Sequence, residues 1–434
     1  MSGMLIRNAR WLDENGEIRS GSIRIQGSAI RSLSGDAPTP DAGDETFDAA
    51  GLLALPGMID AHTHFREPGG CRKEGISNGS HAAIAGGVTT VLDMPNNRPA
   101  CSTPARLEAK KALFRRKCST NWGLHILAST TAPVPEAIAS AKVFMSPSGQ
   151  AHPVLTVDEL AAIFARYPRV TIHAEDASEF PQGADLPHHL ARPRSAIVTA
   201  LQKIETAYGK LDAGRRPRLS VCHLSTREEL DWLRTAKRRG WDIWGETCPQ
   251  YLFFTQSDQE RVGSMLQVNP PLRTGEDRDA LLEALNDGTI DYVSTDHAPH
   301  LPGEKASERP PSGIASVEWL LPLLSCLADR GSISWKRLLQ LACANPARCF
   351  DIPLRNGIKP GNAADIVFVS AAGAYIPNRK IVTRAQANPY AGFTFTRRVE
   401  AVLLNGTWAY KKGIYNTNSI ISREVYEQFQ ADRR

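Results

Sequence analysis

The chain has 434 residues, 42% hydrophobic and 22% charged, with a formal net charge of +5 from 51 basic and 46 acidic residues. This composition fits a globular chain with a large core, excludes a disordered or fibrous protein, and gives no case for a nucleic-acid partner. No stretch is apolar for long enough to span a membrane, Met1–Ile6 lacks the basic and apolar pattern of a signal segment, and the eight cysteines include no Cys-x-x-Cys pair, so a reduced, cytoplasmic setting is expected.

The N-terminal segment reads as short strands. Leu5–Leu12 and Ser22–Gln26 alternate apolar and polar positions, with turns at Asn15-Gly16 and around Pro38 and Pro40. From Gly57 onward, strand and helix alternate. Strands are predicted at Gly57–Ala61, Thr89–Met94, Gly123–Ala128, Ala141–Met145, Val170–Ala174, Leu219–His223, Asp242–Glu246 and Tyr292–Thr295. Helices are predicted at Thr103–Lys117, Val157–Tyr167, Arg227–Arg239 and Asp277–Asn286. Eight strands with crossovers predict an α/β chain built on a (β/α)8 TIM barrel. One more helical segment, Val317–Ala342, follows the eighth strand. Asp365–Val369 and Val399–Leu404 return to strand patterning, and Asn405-Gly406 reads as a hairpin turn. The expected organisation is a barrel over residues 56–350 and a small β-sandwich domain shared by residues 1–55 and 351–434, the latter ending in a tail.

The densest chemistry follows the apolar run Leu52–Met58, at Asp60-Ala61-His62-Thr63-His64-Phe65-Arg66. Histidines at i and i+2 of a strand face the same side. At a strand end, two such imidazoles offer two ligands to a divalent metal. Arg66 continues the same alternation and sets a fixed cation beside them. A barrel keeps its chemistry at the C-terminal strand ends, and Lys142, His173, His223 and Asp296 stand at four more of those ends. Taken singly, each has an ordinary explanation: a snorkelling lysine, a hydrogen-bonded core histidine, a turn-capping aspartate. Together with His62 and His64 they make the ligand set for two metals, provided the lysine is modified. An ammonium cannot ligate a cation. An uncharged lysine that reacts with carbon dioxide becomes a carbamate, a bridging carboxylate. Two ions roughly 3.5–4 Å apart would hold a hydroxide between them. His81, His125, His152, His188, His189 and His297 are read as ordinary polar residues. The Gly-, Pro- and charge-rich segment Pro302–Gly313 is expected to form a mobile loop at the mouth.

These residues, in this order, resemble the amidohydrolase superfamily, and within it the dihydroorotase family. Asp60-Ala61-His62-Thr63-His64-Phe65-Arg66-Glu67-Pro68-Gly69 resembles a dihydroorotase signature. Met94-Pro95-Asn96-Asn97, Asn269-Pro270-Pro271-Leu272-Arg273 and Asp296-His297-Ala298-Pro299-His300 resemble three further motifs. The resemblance implies two zinc ions on His62, His64, carboxylated Lys142, His173, His223 and Asp296, with Asp296 also the proton shuttle. It implies that Arg66, Asn96 and His300 grip the substrate carboxylate, with Asn269 also at the substrate. The implied reaction is reversible opening of dihydroorotate to N-carbamoyl-aspartate in pyrimidine synthesis. The partners are then small molecules, with a homo-oligomer left open. Two features depart from the pattern. Gly245-Glu246-Thr247-Cys248-Pro249-Gln250-Tyr251 is closer to hydantoinases and allantoinases, and Gln250 stands where relatives often have histidine. Ser146-Pro147-Ser148-Gly149 matches no assigned motif. Another cyclic-amide hydrolase, acting on hydantoin, dihydropyrimidine or allantoin, is therefore the alternative. A metal-free scaffold is the third reading, although such relatives lose ligands and none is missing here.

Overall fold

The computed structural model describes residues 3–36, 38–149, 151–182, 186–377, 381–416 and 422–427. The expected C-terminal tail lies, from residue 428, outside the described residues. The barrel strands are β1 (Met58–Thr63), β2 (Val88–Asp93), β3 (Asn121–Leu124 continued by Ile126–Leu127), β4 (Ala141–Phe144), β5 (Arg169–His173), β6 (Arg218–Val221), β7 (Ile243–Thr247) and β8 (Tyr292–Val293). All neighbouring pairs are parallel. The ladder of β3 is interrupted at His125, whose buried imidazole spans from Ala61 O (3.1 Å) to Ser140 Oγ (2.8 Å). That matches its ordinary reading.

The ring closes between β8 and β1, largely through side chains. Ser294 Oγ accepts from Ala61 N at 3.1 Å, and the Asp60 carboxylate accepts from Thr295 N at 3.0 Å and Thr295 Oγ1 at 2.5 Å. Asp60 is wholly buried, and burial raises its carboxyl to about 7 against the pull of these bonds.

Capping chemistry starts the crossover helices where the sequence placed them. Thr103, Thr156, Thr226 and Thr274 each accept from the backbone of the first turn, and Thr226 with Glu229 completes a capping box. Between β3 and β4 there is no helix among the described residues. The single helix expected over 317–342 is divided. Leu320–Asp329 ends before Gly331, which adopts φ 74°, and Ser334 caps a new start at Trp335–Leu339. That second piece runs through a π-helical turn, Gln340–Ala344, into Asn345–Cys349.

The terminal segments build one further sheet of nine strands. Its two halves join where Leu53–Pro56 pairs antiparallel with Ile366–Val369. Asn405 (φ 49°) and Gly406 (φ 79°) make the expected left-handed hairpin turn between Val399–Leu404 and Thr407–Lys411. The sheet curls over its own core in the manner of a sandwich. Phe47, paired to the first strand, meets Phe368 and Trp408 of the C-terminal strands at ring distances of 5.3 and 4.7 Å. Ile6, Ile23, Ile25 and Leu403 fill the space with them.

One buried ion pair ties this frame to the site. Lys110, on the helix Pro104–Lys117, lies 2.6 Å from Asp93 at the end of β2, and both side chains are at most 1% exposed. Lys110 also donates to Met94 O at 2.7 Å, and Asp93 accepts from Phe65 N at 2.7 Å. The pair therefore fixes the chain just where it leaves β1 toward Arg66. Removing one partner strands a buried charge, which typically costs about 3–5 kcal/mol. Lys110→Met is expected to lose that much in urea unfolding. Adding Asp93→Asn should recover part of it, and a neutral Lys110→Met would refute the role.

Candidate active site

Strand ends bring the predicted residues to one place. His62 lies within β1 and His64 one residue past its end, His173 ends β5, and His223 and Asp296 follow β6 and β8. Arg66, His223 and Asp296 take left-handed backbone conformations, with φ 62°, 42° and 47°, a cost that clusters at functional sites. Arg66 was expected to continue the strand alternation. The strand instead ends at Thr63, and it is the left-handed turn at Arg66 that accompanies its side chain into the site. His62, His64, Arg66, Asn96, His173, His223, Asn269 and Asp296 line one cleft with Phe144, Pro147, Ser148, Ala298, Ser312 and Gly313.

The imidazoles form a contiguous cluster. Ring centroids lie 5.3 Å apart for His62 and His64, 5.5 Å for His62 and His223, and 4.7 Å for His173 and His223. Their inward nitrogens face other members of the same set. Asp296 Oδ1 is 3.0 Å from His64 Nε2 and 3.3 Å from His62 Nε2, and His173 Nδ1 is 2.9 Å from His223 Nε2.

Three of the four outward nitrogens are tied. His62 Nδ1 donates to Glu246 at 2.8 Å, and His64 Nδ1 to Asn96 Oδ1 at 2.8 Å. His173 Nε2 faces Glu175 at 3.0 Å and Ser146 Oγ at 2.9 Å. Arg192 grips Glu175 with Nη2 at 2.6 Å and Nε at 3.1 Å. His223 Nδ1 is buried without a partner.

Lys142 does not line the cleft. It is fully buried, its Nζ lies 2.9 Å from Cys222 Sγ, and no carboxylate among the described residues pairs with it. Burial, reinforced by this amine, pushes His62 well below its ordinary value; burial and His173 do the same to His223. Against burial, His62 and His64 hold the Asp296 carboxyl well below the carboxylate range. Burial raises Glu246 to about 8 against the pull of Lys142.

Neutral imidazoles and an ionised carboxylate are the states a divalent cation requires of its ligands. The ligand atoms of His62, His64 and Asp296 lie within 4.8 Å of one another, so these three fit one ion. His173 and His223 offer facing nitrogens beside them, and the buried Lys142 nitrogen, with no carboxylate beside it among the described residues, suits a lysine that carries a carbamate. Cys222 and Glu246 also come within 4.8 Å of His62, but Glu246 there holds the outward nitrogen.

On the other side of the cleft, Arg66 Nη2 lies 3.2 Å from His300 Nε2, and Lys73 Nζ lies 2.9 Å from His300 Nδ1. Arg66 Nε is buried with no partner. Asn96 is more committed than expected, since its Nδ2 donates to Ser148 Oγ at 3.0 Å while its Oδ1 holds His64. That contact gives the unassigned Ser146–Gly149 segment a place in the site. Asn269 Oδ1 accepts from His188 Nε2 at 3.0 Å. The loop at the mouth is pinned by Lys305, 3% exposed, which donates to Gln267 O at 3.2 Å and Pro311 O at 3.1 Å.

Sequence reasoning missed Glu246, Glu175, Arg192 and Lys73. The strand-end rule reaches Glu246 near the end of β7, and the i+2 spacing from His173 reaches Glu175. Nothing local marks Arg192 or Lys73.

The amidohydrolase family model matches residues 53–409. A dihydroorotase of Bacillus subtilis (strain 168) is 32% identical over 429 residues, covering 94% of this chain and 98% of that protein. A dihydroorotase of Halobacterium salinarum is 35% identical over 387 residues, covering 84% and 86%. Among solved structures, an L-hydantoinase from Arthrobacter aurescens shares the fold with a TM-score of 0.88 at 23% identity, over 98% of this chain and 100% of that one. No helix among the described residues is long and apolar enough to cross a membrane.

The Glu175–Arg192 pair makes stability depend on pH. Against burial, Arg192 and His173 hold Glu175 below its ordinary value of 4.5. A carboxylate depressed in the folded state contributes stability above its unfolded value, and that stability is lost as pH falls toward the folded value. Arg192→Met strands the carboxylate, at a cost of about 3–5 kcal/mol near neutrality. In urea unfolding of the metal-free protein, the deficit should shrink as pH drops below about 4.5. A deficit that does not change with pH would contradict this assignment.

Proposed function

We propose, from the premise that the chain belongs to the amidohydrolase family, that it is a dihydroorotase, interconverting dihydroorotate and N-carbamoyl-aspartate. The observation that carries the reading is the pair Arg66 and His300, Nη2 and Nε2 3.2 Å apart beside the imidazole cluster, with Arg66 Nε buried and unpartnered. A buried cation with a free donor calls for an anion, and dihydroorotate carries a carboxylate on its ring. The dihydroorotase names of the relatives support the same choice. The reading makes the chain an enzyme of pyrimidine biosynthesis, acting on small molecules in the cytoplasm.

His62, His64, His173, His223, Asp296 and a carbamate of Lys142 would hold two divalent ions, zinc being typical of the family. Bound there, the ions would supply the Lewis acidity that readies water for attack and polarises the ring carbonyl. The chain's own residues do the rest. Asp296, held ionised, takes the proton from the attacking water and delivers it to the departing ring nitrogen. Glu246, Asn96 and Glu175 keep three imidazoles turned inward. Arg66 and His300 fix the ring through its carboxylate, so that the amide lies against the cluster. Microscopic reversal of the same steps closes the ring.

A second reading, hydrolysis of an uncharged ring such as hydantoin, has one observation in its favour. The segment Glu246–Tyr251 resembles that branch, and its Glu246 holds His62.

Protein purified without chelator is expected to carry about two divalent ions per chain. Lys142→Ala should lose one of the proposed metal-holding residues and most of the turnover, with partial recovery on adding a short carboxylic acid. Elemental analysis that finds one ion reproducibly would overturn the binuclear assignment.

Substrate choice has its own measurement, the ratio of kcat/KM for dihydroorotate to that for hydantoin. Arg66→Met should cut dihydroorotate turnover by about 10²-fold or more, keep the metal content, and narrow that ratio. A wild-type preference for hydantoin, or a ratio that Arg66→Met leaves alone, would favour the second reading.

A further inference from the structure

Two of the three polar contacts on the His300 ring agree on one arrangement of its protons, and the third, from Arg66 Nη2 to Nε2 at 3.2 Å, opposes it. Lys73 Nζ lies 2.9 Å from Nδ1. An ammonium only donates, so Nδ1 is the accepting nitrogen. Ser312 O lies 3.1 Å from Nε2. A carbonyl only accepts, so Nε2 carries the hydrogen. Both contacts select the same neutral tautomer.

The reverse tautomer would aim Nδ1–H at an ammonium. Its nearest carboxylate is Glu304, 3.6 Å away. Glu304 already pairs with Lys73 and Arg72, each at 3.2 Å. Ser312 O would also lose its donor. The doubly protonated ring fares worse. Burial and the charges of Arg66, Lys73 and Lys305 push His300 down to about 2.

The selected tautomer has a consequence next door. Nε2–H faces Arg66 Nη2 at 3.2 Å, donor against donor, while Arg66 Nε has no partner at all. Donors set this close are satisfied together by one anionic acceptor.

We propose that Lys73 is a positioning residue that fixes His300 as its Nε2–H tautomer, so that His300 and Arg66 present a two-donor cradle for a carboxylate. The cradle rests on the dihydroorotase reading given above; the tautomer does not.

Nitrogen-15 spectra of histidine-labelled, metal-loaded protein read the tautomer directly, with His300→Gln assigning the resonances. The wild type should show Nδ1 bare and Nε2 protonated. Lys73→Arg keeps a donor and should keep that pattern. Lys73→Met should mix the two tautomers. The same variant should raise KM for dihydroorotate by about tenfold to a hundredfold, with kcat changed much less, as for loss of a charged hydrogen bond made in the ground state. Lys73→Arg should restore most of the KM. A merely structural lysine would move neither the tautomer nor KM selectively. A protonated Nδ1 in the wild type, or a Lys73→Met spectrum identical to wild type, overturns the proposal. A shifted tautomer with unchanged KM overturns the cradle. Failure of the wild type to turn over dihydroorotate would count against the substrate reading, and the spectra would still decide the role of Lys73.

Discussion

An imidazole has two nitrogens, and the site depends on what is done with the outer one. Four rings crowd into one buried cluster, where a charged ring would be expensive. Tying the outer nitrogen of His62 to Glu246, of His64 to Asn96 and of His173 to Glu175 fixes both tautomer and ring orientation. The inward nitrogens of these three rings then present lone pairs to the same space, while His223, whose outer nitrogen has no partner, faces His173 Nδ1 with its Nε2 at 2.9 Å. Without those ties each ring could turn its N–H inward and the cluster would hold no ligand set.

The ties pass the constraint outward into the fold. Glu246 comes from β7, Glu175 from just beyond β5, and Asn96 from the loop after β2. Each orienting group is itself held, Glu175 by Arg192 and Asn96 by Ser148. Asp93, held by Lys110, anchors the chain that leaves β1. A barrel suits this arrangement because every strand end faces the same mouth, so residues far apart in sequence meet without a long loop. His62 and Glu246 are separated by 184 positions and still hydrogen-bond.

That separation also sets what sequence reading can reach. Period-two spacing predicts that His62 and His64 share a face, and alternation of strand and helix predicts the barrel, because both signals are local. Patterning at the two ends predicts one shared β domain but not its register, the antiparallel pairing of Leu53–Pro56 with Ile366–Val369. Arg66 was placed in the site for the wrong local reason, since a left-handed turn, not a continuing strand, accompanies it there. The division of the last helix at Gly331 was missed because its apolar pattern runs on across the break. Arg192 and Lys73 carry no periodic signal. Their meaning lies in which distant group they touch, and periodicity reports faces, not partners.

The fold is shared with hydantoinases, so the barrel and its metal-type donors cannot by themselves decide which ring is opened. Discrimination has to come from groups that meet the part of the substrate that does not react. Here those groups are cationic and poorly neutralised. Glu304 serves Lys73 and Arg72 together, and Lys305 is pushed down to about 7 by burial and by Arg66. A pocket that stores excess positive charge beside a neutral imidazole pays a resting cost that one bound anion would relieve. An uncharged ring would leave that cost in place throughout the reaction. It is on this charge distribution that the proposed preference for an anionic ring rests.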